Sequence, residues 1–262
     1  MKKILAIAVI VITSLSSAQA QEGIRLGAKG SFFSTWLFNK NVSDQNASLD
    51  YASSFSPTFG VQAIFMFKET YGINAEIIYA SHKQKYDGYF GNEDNTFTNE
   101  INLSYIDSPI LFRVSSPKGP YFEIGPQASL LMGAKETFET DLTPINNYSD
   151  KDVKDDFAGF GVAGVFGFGI DIKLTDMINL TTGLRFGYMF TDATVEYTES
   201  EQIAFNGLNP PWLPLGEQSL VSNASNHEGE FHFGSNKNDI SYQKSDRAFG
   251  GLQIGIQFML DK

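Results

Sequence analysis

From Ile24 onward, apolar side chains recur at every second position, the period of a strand with one apolar and one polar face. The first such segment, Ile24 to Phe33, sets Ile24, Leu26, Ala28 and Phe32 against Arg25, Lys29 and Ser31. Thr58 to Phe67 aligns Phe59, Val61, Ala63, Phe65 and Phe67. Tyr71 to about Lys85 sets Tyr71, Ile73, Ala75, Ile77 and Tyr79 against Asn74, Glu76 and His82. Ile101 to Ser115 sets Ile106, Ile110, Phe112 and Val114 against Tyr105, Asp107 and Arg113. In Tyr121 to Lys135, the apolar face holds Phe122, Ile124, Ala128, Leu130, Met132 and Ala134, and the other face holds Glu123, Gln127 and Ser129. Phe157 to Lys173 alternates large apolar residues with Gly159, Gly161, Ala163, Gly167 and Gly169. Ile178 to Thr191 and Ala248 to Leu260 complete the set, with Asn179, Thr181, Arg185, Gln253 and Gln257 on their polar faces.

The connections alternate in length. Lys68-Glu69-Thr70, Ser116-Pro117-Lys118-Gly119 and Leu174 to Met177 are short; Leu37 to Ser56, Tyr86 to Glu100, Glu136 to Asp156 and Asp192 to Arg247 are long. Alternating segments of about ten residues, with short turns on one side and long loops on the other, predict an all-β fold, an antiparallel up-and-down transmembrane β-barrel of about eight strands. The last loop holds two further short candidates, Gly229 to Gly234 and Ile240 to Gln243, with Asn236-Lys237-Asn238 to turn between them. Their faces suit strands projecting above the membrane; the alternative is a barrel of ten.

A barrel of about eight strands has an interior that side chains fill. The inward set holds Arg25, Lys29, Arg113 and Arg185 against Glu76, Asp107 and Glu123. Buried charge persists only when paired and hydrogen-bonded. The expectation is an ion-paired plug with a structural role, and a glycine row on the sixth strand that leaves room for long neighbours.

Residues 1–20 read as a signal peptide. Lys2 and Lys3 precede the apolar run Ile4 to Ile12, and Ala18-Gln19-Ala20 forms a cleavage site, leaving 21–262 as one barrel domain. The run is shorter than the ~20 residues that span a bilayer. The expected location is the cell outer membrane. The chain has no cysteine, which excludes disulfides, thiolate metal sites, cysteine nucleophiles and a lipoprotein anchor. Its net charge is −11, and removing Lys2 and Lys3 makes it −13, a surface that repels nucleic acid. The 23 Phe, 11 Tyr and 24 Gly suit strands, membrane interfaces and tight turns.

Chemical motifs are few. Gly159-Phe160-Gly161-Val162-Ala163-Gly164 spells a dinucleotide fingerprint, but alternation continues through Ile172 where a helix would have to begin. Ser81 and His82 are adjacent, so they point to opposite faces of a strand and cannot pair directly. Asp150, Asp152, Asp155 and Asp156 could bind Ca²⁺, yet Lys151 and Lys154 interrupt them and favour a solvated acidic loop. Asn209 to Pro214 stiffens an apolar patch around Trp212, which either contacts a partner or packs over the barrel mouth. No cofactor or resident metal is expected, and no catalytic residue.

The segment Leu103-Ser104-Tyr105-Ile106-Asp107-Ser108-Pro109-Ile110-Leu111-Phe112, followed by Gly119-Pro120-Tyr121-Phe122-Glu123-Ile124-Gly125-Pro126, resembles the PorT-like outer-membrane β-barrel family of Bacteroidota. The resemblance implies an outer-membrane barrel and no single function; the family's eponymous member is associated with protein secretion. The leading expectation is a non-enzymatic, monomeric barrel in contact with outer-membrane lipid. Its extracellular loops, the last above all, would bind a partner or support the envelope. The alternatives are an accessory of a secretion machine and a lipid-modifying enzyme.

Overall fold

The computed structural model describes residues 23–43, 49–89, 94–141, 147–196, 219–221 and 242–260. The expected signal peptide, Trp212 with its prolines, and the strand candidate at 229–234 lie outside these residues, as does the first half of the candidate at 240–243. Eight antiparallel strands form the wall: β1 (Ile24–Phe38), β3 (Ser56–Met66), β4 (Tyr71–Tyr89), β5 (Thr96–Ser115), β6 (Pro120–Thr140), β8 (Phe160–Lys173), β9 (Ile178–Met189) and β10 (Asp246–Met259). Each pairs with the next, and β1 pairs with β10 from Arg25–Met259 to Phe38–Asp246, so the ring has no free edge. Closure satisfies the backbone groups that hydrocarbon cannot. Two short strands, β2 (Leu49–Ala52) on β4 and β7 (Tyr148–Asp152) on β6, bring the sheet to ten without entering the ring. They arise in the first and third long connections, not in the last one. Among the described residues no helix is long and apolar enough to cross a membrane.

Tight turns join β3 to β4, β5 to β6 and β8 to β9. In the middle one Gly119 has φ +104, a left-handed conformation that glycine adopts without a Cβ clash.

Outward faces carry the apolar belt. On β4 it runs from Tyr71 through Ile73, Ala75 and Ile77 to Tyr79, and on β6 from Phe122 to Met132. A membrane-spanning strand needs about 9–11 residues, whereas β4, β5 and β6 have 19, 20 and 21. Beyond the belt these strands keep pairing but exchange polarity. Their outer face turns to Ser81, Lys83, Lys85, Asn102, Glu100 and Lys135. Their inner face turns apolar, with Tyr86, Phe97, Ile101, Leu103, Leu131, Ala134 and Phe138 buried in one cluster with Leu37, Val42, Val153, Phe157, Leu220 and Val221. The barrel thus continues outside the membrane as a water-facing head with its own core.

Ala134 corrects the sequence reading. Alternation puts it on the lipid face with Met132, but it is 1% exposed, inside the head. The pairs Tyr105–Leu131 and Ser104–Gly133 leave Met132 as the extra residue of a β-bulge, which shifts the inward set from odd to even numbers.

Candidate functional site in the lumen and the outer rim

Order along the strands sorts the lumen into layers. On β1 the inward series runs Arg25, Lys29, Phe33, Thr35, Leu37; on β5 it runs outward from Arg113 through Leu111, Asp107 and Tyr105; on β10 it passes Gln253, Phe249 and Arg247. A lower polar layer, an apolar gasket, an upper polar layer and the apolar core of the head therefore succeed one another from the turn side to the loop side.

The lower layer is a continuous chain of ion pairs. Arg25 reaches Asp171 at 3.3 Å, Arg113 joins Asp171 at 2.6 Å to Glu123 at 2.7 Å, and Arg185 joins Glu123 at 3.0 Å to Glu76 at 2.6 Å. Lys29 closes the chain on Glu76 at 2.5 Å. Asn74 Nδ2 donates to both glutamates, at 2.6 and 2.9 Å, and Arg113 stacks 3.8 Å over the Tyr121 ring. The glycine row makes space for that tyrosine: a Cβ on Gly169 or Gly183 would stand 2.7 or 2.8 Å from its hydroxyl oxygen. Six of the seven lumen residues singled out by the sequence meet here. Asp171, the seventh link, is not in that set, although its parity on a strand rich in inward glycines points it inward. The cavity bounded by Lys29, Gln62, Arg113, Tyr121, Glu123, Thr181 and Gln253 is about 10 Å³, room for about one water.

Phe33, Leu111, Val165 and Phe249 form the gasket. Above it lies Asp107, apart from the lower chain. Its Oδ2 is 3.2 Å from His82 Nε2, and His82 Nδ1 is 3.0 Å from Thr35 Oγ1. An ionised Asp107 only accepts, so Nε2–H donates to it and Nδ1 accepts from the Thr35 hydroxyl. Arg247 sits 3.8 Å from Asp107 Oδ1, donates to Ser129 at 3.0 Å and lies 4.0 Å above the Tyr105 ring. The alternation pattern puts Arg247 at the end of the last loop; in the structure it is a fully buried residue of β10. Hydroxyl, imidazole and carboxylate line up in the order of an acyl-transfer triad, with the two ring nitrogens exchanged. All three are buried, closed below by the gasket and above by the head.

The outer rim holds a second carboxylate site, outside the membrane-spanning part. Glu136 is buried in the head, where its Oε1 accepts from Asn99 Nδ2 at 2.9 Å and the Leu220 amide at 2.8 Å, and its Oε2 accepts from the Tyr148 hydroxyl at 2.8 Å. Asp156 Oδ2 accepts from the Ser219 amide at 2.5 Å. These consecutive amides belong to the last long connection, which two carboxylates thereby tie to the barrel mouth. Burial pushes Glu136 up, and burial with the charges of Glu136 and Asp155 pushes Asp156 up to about 6. The acidic cluster is therefore not wholly solvated: Asp156 has turned inward. Among the described residues no cluster of His, Cys, Asp and Glu suits a metal ion.

Residues 17–195 match the family described as outer membrane protein beta-barrel domain. No curated protein matches the chain. Among solved structures, Neisserial surface protein A is 10% identical, with 90% of this chain and 97% of that one covered at a TM-score of 0.37. The outer membrane protein OprG from Pseudomonas aeruginosa is 13% identical over 93% and 99%, with a TM-score of 0.35. The attachment invasion locus protein Ail of Yersinia pestis is 9% identical over 91% and 100%, also at 0.35.

Proposed function

The chain belongs to the outer membrane protein beta-barrel domain family, and from that premise we propose that it is a non-conducting surface anchor. Its barrel holds a raised extracellular head in place, and the head and its loops meet a partner outside the cell. The filled lumen carries this reading. Ion pairs cross it at one level, four apolar side chains at the next, and the core of the head above both. A solute would have to break buried charge pairs to pass, at about 3–5 kcal/mol for each partner lost. The head supports the presenting role, since a barrel needed only to span the bilayer has no use for strands twice the required length. The same sealing argues against catalysis at Thr35, His82 and Asp107, which no substrate reaches.

The test is a planar-bilayer recording on the full-length protein. The expected trace has no unitary steps. Steady ohmic steps in the unmodified protein would replace the anchor with a pore. Cross-linking and co-purification from the native membrane would then identify what the head holds.

A further inference from the structure

The lipid-facing belt is built mainly from large side chains, and three alanines break it at one place. Ala28 of β1, Ala63 of β3 and Ala75 of β4 are brought together by the pairs Ala28–Val61, Leu26–Ala63 and Ala63–Ala75. They floor a groove of about 610 Å³ walled by Leu26, Val61, Ile77 and Phe258. Further out on the same face of β4, where the belt ends, stand Ser81, Lys83 and Lys85. Register sets Lys83 beside Asn102 and Asn102 beside Lys135, in a row across β4, β5 and β6. The row below it pairs Ser81 with Ser104, and Tyr79 donates to the Ser104 hydroxyl at 3.3 Å. Lys83 holds Glu100 at 2.6 Å, Lys85 reaches Asp87 at 3.5 Å, and Lys135 is exposed. On a chain of net charge −11, this wall gathers three lysines and several hydroxyl and amide groups at the edge of the apolar belt.

Depth relates the two features. Lys83 and Ile77 are six positions apart on β4, roughly 20 Å along a strand and about 15 Å in depth at the usual tilt. One leaflet of hydrocarbon is about 15 Å thick. A chain running down β4 from a headgroup at Lys83 therefore ends in the groove.

We propose that the wall centred on β4 binds an outer-leaflet lipid, with its phosphorylated headgroup on Lys83 of β4 and Lys135 of β6 and an acyl chain in the alanine groove of β1, β3 and β4. The lysines supply charge and the hydroxyls hydrogen bonds. The groove supplies a surface that a straight chain fills and that Leu or Phe at the same positions would close.

The test is native mass spectrometry of the detergent-solubilised full-length protein with added diphosphorylated lipid A or its dephosphorylated form. The protein should retain the phosphorylated form preferentially. K83Q/K135Q should lower that retention about fivefold per lysine and erase the preference. Ala75→Phe, which fills the groove, should weaken both forms and keep the preference. K118Q/K173Q, with charges lost at the opposite rim, is the control and should change neither. Each variant is checked for the parent's far-ultraviolet spectrum. Unchanged retention in K83Q/K135Q, or equal loss in the K118Q/K173Q control, would overturn the site. A dimer that Ala75→Phe splits would overturn it in favour of a second copy.

Discussion

Glu76 is the most heavily used carboxylate of the lower lumen. It accepts two hydrogen bonds from Arg185, one from Lys29 and one from Asn74, with no exposed surface on its side chain. Glu76→Ala leaves two buried cations short of their partner and should cost about 3–5 kcal/mol, because an unpaired buried charge is worse than none. Arg25 belongs to the same chain of ion pairs but its side chain is 18% exposed and holds Asp171 through a single contact. Arg25→Ala should cost only about 0–1 kcal/mol, the range of a wet ion pair. Urea-unfolding midpoints in detergent test both, and equal losses at the two positions would refute the layered account. Most of this network was legible from parity: a charge among polar alternates of an apolar strand has only the lumen to occupy. Asp171 is hard to place from its own strand, because isoleucines flank it and glycines, Ala163 and Val165 fill the rest of its face, so nothing there marks the face as polar. Alternation places His82 and Asp107 on polar faces, but Thr35 lies beyond the first alternating segment, which ends at Phe33, and the union of the three depends on the curvature of the ring, which no local pattern records.

At the scale of elements, the long strands β4, β5 and β6 hold two polarity codes in sequence. Period-two alternation is the same in both, and what reverses is which face is apolar. Inside the belt the outward face meets lipid, and beyond it the outward face meets water. The sequence signal therefore ended too early, at Lys85 and Lys135, where apolar residues left the outer face and the segment began to read as loop. The bulge at Met132 compounds this on β6, because a single extra residue moves Ala134, Glu136 and Phe138 to the opposite parity. A deletion and an insertion separate the bulge from the strand it serves. Removing Met132 leaves Leu131 and Gly133 on consecutive partners and should keep both faces, at a cost within about 1 kcal/mol. Inserting one alanine after Lys135 should turn Glu136 and Phe138 to water and open the head while sparing the belt. Protease cleavage within 147–156 reads the difference, and equal protection of the two variants would refute the account.

For the whole molecule, the fixed barrel and the long last connection meet at the Glu136 and Asp156 carboxylates. Around them stand the Asn99 amide, the Tyr148 hydroxyl, Asp155 and the Lys151 ammonium; the docking amides of Ser219 and Leu220 and the Lys151 charge favour ionisation but are outweighed by burial. A carboxyl raised to about 6 when docked, and ordinary when undocked, binds more protons docked in the interval between the two values. Stability then falls as pH rises through that interval, since its slope follows the difference in bound protons between the open and closed states. Docking of Ser219 and Leu220 is thus strongest in acid, below about pH 4, where an undocked aspartate also holds its proton. It weakens as pH climbs from about 4 to about 6 and levels off above that, where Asp156 is ionised docked or undocked. This is the reverse of a salt-bridge latch, which acid releases. Amide exchange at Ser219 and Leu220, corrected for the intrinsic pH dependence of exchange, should show protection declining from about pH 4 to pH 7. Asp156→Asn should flatten most of that slope, with the remainder left to Glu136. Protection that rises with pH would mean that the two carboxylates bind the connection as ions, and the cap would then open in acid.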